Sequence, residues 1–152
     1  LEAMAEADNW PRCAVRRQVP YPARPRTRAD LLIEPPQAAP VVLEAKLLRL
    51  LGDNGKLNDN MLMHILSPYP THRSAVTDVA KLARSGFAAR RWILIFGYDT
   101  PDLPADPALR AFELLAGDHA TLGAHHVART GPLVHPVHRQ GFAAVWEVQA
   151  AA

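Results

Sequence analysis

Two short apolar runs joined by a proline-rich turn constrain this chain more than any other feature: Ala29-Asp30-Leu31-Leu32-Ile33-Glu34 and Val41-Val42-Leu43-Glu44-Ala45-Lys46-Leu47-Leu48. Leucine, isoleucine and valine suit a pleated, half-buried surface. The Pro35 to Pro40 segment interrupts them, so the pair reads as a β-hairpin. Alternate residues of a strand share a face. Glu44 and Lys46 therefore point the same way. Asp30 and Leu32 share one face of the first strand; Ala29, Leu31 and Ile33 share the other. If the turn spans Pro35 to Pro40, Glu34 faces Val41 and Asp30 faces Ala45; a one-residue adjustment sets Asp30 opposite Glu44. That register brings two carboxylates to roughly 5 Å. Facing like charges are destabilising unless a cation stands between them. A divalent metal, with Lys46 beside it, is the natural candidate.

The length of 152 residues suits one domain, Leu1 to Ala152, with a real core. An apolar fraction of 49% and a charged fraction of 21% mark a globular chain. The net charge of +2 does not by itself argue for nucleic acid. The distribution says more: Arg12, Arg16, Arg17, Arg24, Arg26 and Arg28 crowd the segment before Asp30, and Arg90 and Arg91 precede a later strand. Arginine suits planar phosphate contacts; a solvated face on an arginine-rich chain is the competing explanation. The single Cys13 excludes an internal disulfide and any multi-cysteine zinc site. No apolar run approaches the roughly 20 residues of a membrane span, and no signal peptide is expected. The expectation is a cytoplasmic protein with no membrane partner.

Leu1 to Ala7 is rich in helix formers and reads as the tail of a helix whose start lies upstream, the chain beginning at Leu1 rather than Met. Arg12 to Val19 suits a first strand, and Pro20, Pro22 and Pro25 predict an exposed, arginine-bearing loop after it. After the hairpin, Gly52 to Lys56 is a strong turn. A short helix is predicted over Leu57 to Leu66. A second runs from Ala75 to Ser85, capped by Ser74 and stopped by Gly86, with Val76, Val79, Ala80 and Ala83 as its apolar stripe. Trp92 to Phe96 is the best buried strand. Asp106 caps a helix over Ala108 to Ala116 that Pro107 opens and Gly117 ends. His125 to Thr130 and Phe142 to Val148 are late strands. The order predicts an α/β fold: three antiparallel strands, a helical crossover to another strand, and a mixed sheet with helices packed against it.

An acid on one strand, then Glu-x-Lys on the next, within a helix–strand–strand–strand–helix–strand order, resembles the PD-(D/E)xK nuclease superfamily. The matching residues are Asp30 and Glu44-Ala45-Lys46, and the likeness covers Leu1 to Tyr98. The stretch from Ser67-Pro68-Tyr69-Pro70 to Phe96-Gly97-Tyr98-Asp99 also resembles a bacterial family of restriction-endonuclease-like proteins. Ala29 stands where many members of the superfamily have proline.

The resemblance implies a restriction-endonuclease-like sheet flanked by helices (an αβββαβ core) and a DNA endonuclease dependent on Mg²⁺ or Mn²⁺. It makes Asp30 and Glu44 metal ligands, with the backbone carbonyl of Ala45 as a third and Glu6 or Glu2 as an acid from the first helix. Oxygen donors on adjacent strands suit these ions. Lys46 would orient or deprotonate the attacking water. Arg16, Arg17, Arg26, Arg28 and Lys56 would hold the DNA backbone. The resemblance allows a homodimer or a larger DNA-processing assembly. The alternative is a catalytically inactive nuclease fold serving as a nucleic-acid-binding or protein-interaction module.

Other signals are weaker. Gly52 to Leu57 lacks the glycine spacing and the Ser or Thr of a phosphate loop. His135-Pro136-Val137-His138 has a metal-compatible spacing but needs a third ligand. Trp92 and Trp146 lie in strand-like runs and are expected in the core. Trp10 and Tyr69 neighbour turns and basic residues, where stacking on bases competes with ordinary packing.

Overall fold

The structure, a computed structural model, describes residues 13–151. The expected helix over Leu1 to Ala7, with Glu2 and Glu6, lies outside the described residues, as do Trp10 and Arg12. Strands β1 (Ala14–Tyr21), β2 (Arg24–Glu34) and β3 (Val41–Leu48) come first. Helices α1 (Met61–Leu66) and α2 (Ala75–Ala83) follow, then β4 (Arg90–Asp99), α3 (Asp106–Gly117), β5 (Leu122–Thr130) and β6 (Gln140–Val148). The strands form one six-stranded mixed sheet in the order β1-β2-β3-β4-β6-β5. Among the described residues, only β3 and β4 pair in parallel. Parallel neighbours need a crossover, and α1 and α2 supply it.

One face of the sheet carries the core. Val42, Ile93, Ile95, Ala144 and Trp146 pack there with Val76, Val79 and Leu82 of α2 and Phe112 of α3, all at most 1% exposed. The expected face of β6 is realised; of the expected α2 stripe, Val76, Val79 and Ala83 are buried, whereas Ala80 is half-buried and lines a cleft, and Leu82 joins the core instead. The opposite face carries Leu31, Ile33, Leu43 and Leu94 half-buried. Trp92 belongs to that face, half-buried under the Arg90 guanidinium, rather than to the core. Gly97 permits the β3–β4 approach: a Cβ there would stand 1.8 Å from the Leu48 carbonyl oxygen.

Local expectations fail in several places. The proline-rich stretch is not a loop: β1 continues through Pro20 to Tyr21, and β2 restarts at Arg24. β1 lies at the sheet edge, where proline is tolerated, and the register shifts between Pro20 and Tyr21. Helix α1 is six residues long, because Leu57 instead bridges Leu51 across the Gly52 turn. Asp106 does not cap α3; it is the first helical residue, and its carboxylate binds Arg129 at 2.5 Å. Ser74 does cap α2, its hydroxyl accepting the Thr77 N–H.

Candidate active site

Glu44 and Lys46 alternate onto the helix-covered side of β3, between the buried Val42 and Leu48. The β2–β3 ladder pairs Leu31 with Leu43, Leu32 with Val42 and Ile33 with Val41. The adjusted register therefore holds, and one further step sets Asp30 opposite Glu44. Both acids line a cleft of about 780 Å³ together with Lys46, Asp78 and Lys81. Arg24, Arg26, Arg28, Arg73 and Arg84 line it too.

The two acids do not simply face each other. Asp30 Oδ2 accepts the Ala45 N–H at 2.9 Å, and its Oδ1 accepts the Gln18 amide at 3.2 Å. The N–H and C=O of one strand residue leave on the same side. The Ala45 carbonyl therefore faces the gap beside Asp30, where the β2 ladder has ended. Glu44 is 3% exposed, and its Oε1 accepts the Tyr21 hydroxyl at 2.5 Å and the Lys81 ammonium at 3.3 Å. Tyr21 stands here because β1 extends through the prolines.

Helix α2 brings two groups that the sequence reading missed. Asp78 is fully buried, with Lys46 Nζ at 2.6 Å and Lys81 Nζ at 2.5 Å. The two ammonium groups offset the buried Asp78 charge. The overlooked signal is an acid set between Val76 and Val79, inside an apolar stripe, with a lysine three residues on.

Electrostatics follow from burial. Desolvation, then the Asp78 charge, pushes the Glu44 carboxyl up to about 7. Burial, then the neighbouring Glu44, raises the Tyr21 phenol, which stays the hydrogen donor of the pair. Burial pulls the Lys81 ammonium down, but Asp78 and then Glu44 outweigh it and hold it above its ordinary value.

Other expected contact residues scatter. Arg26 and Arg28 line the cleft, whereas Arg16, Arg17 and Lys56 are not among its lining residues. Arg16 pairs with Glu34 at 3.0 Å, and Arg17 lies opposite Leu31, on the face away from Asp30. His138 is buried at 2% exposure, stacks on Tyr98 and approaches Asp53 at 3.2 Å. His135 Nδ1 accepts the N–H groups of Val137 and His138. Its Nε2 must then carry the hydrogen of the neutral ring, which disqualifies that nitrogen as a metal ligand. The histidines clasp the β5–β6 loop to the Gly52 turn instead.

Comparison with protein-family models, with curated proteins and with solved structures finds no match for this chain.

Whether the residues present suit a divalent cation rests on their chemistry. Among the described residues, no three His, Cys, Asp or Glu side chains form a group able to hold a metal ion. Mg²⁺ does not require one: it keeps several waters and is commonly held through one or two carboxylates. Asp30, Glu44 and the Ala45 carbonyl are hard oxygen donors on adjacent strands. Burial first, and the Asp78 charge second, keep the proton on Glu44 towards neutral pH, so a bound cation must displace it. The donor set fits a hard divalent ion.

Proposed function

We propose that this protein is a divalent-metal-dependent nuclease of the restriction-endonuclease-like fold, hydrolysing phosphodiester bonds in DNA. One observation carries the reading: Asp30, Glu44 and Lys46, on adjacent strands, meet in a single cleft whose remaining charged lining is dominated by arginine. Cations outnumber carboxylates there, which suits a polyanionic backbone. The βββ-helix-β order supports the same fold assignment.

Asp30, Glu44 and the Ala45 carbonyl would hold Mg²⁺ or Mn²⁺. Such an ion supplies charge neutralisation at the phosphate and a more acidic water. The protein's own groups do the positioning. Asp78 fixes where the Lys46 ammonium points, beside the carboxylates, so Lys46 orients the attacking water and offsets charge on the phosphate. Tyr21 and Lys81 hold the Glu44 carboxyl in place. Arg26 and Arg28 take the flanking phosphates. Water oxygen attacks phosphorus and gives up a proton to solvent, the P–O bond to the leaving sugar breaks, and solvent supplies a proton to that leaving oxygen.

A second reading has its own observation. Lys46 and Lys81 already neutralise much of the Asp78 and Glu44 charge, as a metal-free binding module would require. Plasmid cleavage with Mg²⁺ or Mn²⁺ separates the two. Activity abolished by chelator, by Glu44→Ala and by Lys46→Ala supports the nuclease. Full cleavage by Glu44→Ala sinks it, and salt-sensitive DNA binding without turnover in any metal supports the binding module.

A further inference from the structure

The exposed aromatic on the cleft's rim has no part in the chemistry above. Tyr69 is 64% exposed, although it lies between Pro68 and Pro70, both of which line the cleft. It is neither core nor loop filling, so the packing expected from the sequence does not hold. Nor is it a loose surface side chain. Its N–H donates to Ser67 Oγ at 3.3 Å, and its carbonyl accepts the His72 N–H at 3.0 Å. The His72 ring meets the tyrosine ring at 5.5 Å and 69°, edge to face. That imidazole is itself fixed, its Nδ1 lying 2.6 Å from Ser67 Oγ. Ser67 is anchored in turn, its carbonyl accepting the hydroxyl of the buried Ser74. The two prolines restrict the backbone on either side.

A rigid, solvent-facing aromatic at the edge of a cationic cleft is built for a flat apolar partner attached to a polyanion. We infer that Tyr69 is a stacking platform for an unpaired base, and that the substrate is a single strand, or a strand splayed from its partner, at the point where it enters the cleft. Bases within an intact duplex are stacked on each other and offer no free face, whereas every unpaired base does. Arg73, four residues on and also lining the cleft, would take the adjoining phosphate. The inference rests on the nucleic-acid reading of the cleft and adds the strandedness of its substrate.

The test is fluorescence anisotropy in chelator, where no strand is cut. The probes are a labelled oligothymidylate, a duplex of equal length, and an abasic strand carrying the same phosphates without bases. The unaltered protein should bind the oligothymidylate more tightly than the duplex. Tyr69→Ala should weaken oligothymidylate binding by roughly 5- to 150-fold, leave duplex and abasic strand unchanged, and melt at the same temperature. Tyr69→Phe should restore binding. Equal affinity of Tyr69→Ala and unaltered protein for oligothymidylate overturns the inference and leaves the nucleic-acid cleft standing. Equal weakening on the abasic strand overturns it too, since stacking cannot act there. Failure of the unaltered protein to bind any of the three probes overturns the cleft reading and this inference together.

Discussion

At the scale of single residues, Glu44 is the side chain on which the cleft turns. It is buried at 3% exposure, bonded by Tyr21, paired with Lys81 and crowded by Asp78. Its carboxyl is raised from 4.5 to about 7, chiefly by desolvation and then by Asp78. Between those values the folded protein holds more protons than the unfolded chain, so stability declines as pH rises through the window. We expect unfolding free energy to fall by about 1–3 kcal/mol from pH 5 to pH 8 on this account. Glu44→Gln, which imitates the neutral acid, should flatten that slope in urea melts; an identical slope in both proteins would refute the assignment. Metal binding requires the ionised carboxylate. Mg²⁺-dependent cleavage should therefore rise across the same interval.

At the scale of elements, α2 matters as much as the hairpin. It carries Asp78 and Lys81 to the cleft, and its first turn is fixed by Ser74. That residue is fully buried, accepts the Thr77 N–H at 3.2 Å and donates to the Ser67 carbonyl. One hydroxyl thus caps the helix and anchors the segment that presents Tyr69. Ser74→Ala should cost about 1–2 kcal/mol in a denaturant melt. Through the Ser67 contact it should also weaken oligothymidylate binding without touching the abasic strand. Stability lost with no change in base-dependent binding would show that the cap and the Tyr69 segment are uncoupled.

At the scale of the molecule, the sheet order decides where charge collects. Arg26 and Arg28 line the cleft, while Arg17 lies on the opposite face, although all three come from one arginine-rich stretch. Binding of oligothymidylate should weaken linearly with salt on logarithmic axes. Arg26→Ala and Arg28→Ala should each reduce the slope by about 0.7, the value per phosphate on a single strand. Arg17→Ala should leave the slope unchanged; a loss there equal to that of Arg26→Ala would place the nucleic acid elsewhere.

What the sequence determined by itself is local. Alternation of Val42, Glu44, Lys46 and Leu48, the Ser74 cap and the existence of a strand at Trp92 to Phe96 are legible in short windows through backbone periods of two and near four, whereas that run buries only Ile93 and Ile95 and leaves Phe96 exposed. The same periods put Asp30 and Glu44 on one side of a hairpin. Tertiary structure alone decided the rest. A strand through Pro20 depends on an edge position, and one through Pro25 on lying beyond the end of the β2–β3 ladder, neither of which a local window encodes. Tyr21, Glu44, Asp78 and Lys81 meet only because β1 lies two strands from β3 and the crossover packs α2 against β3 and β4. Local backbone geometry sets which way a side chain points; only the packing of distant segments sets what it meets there.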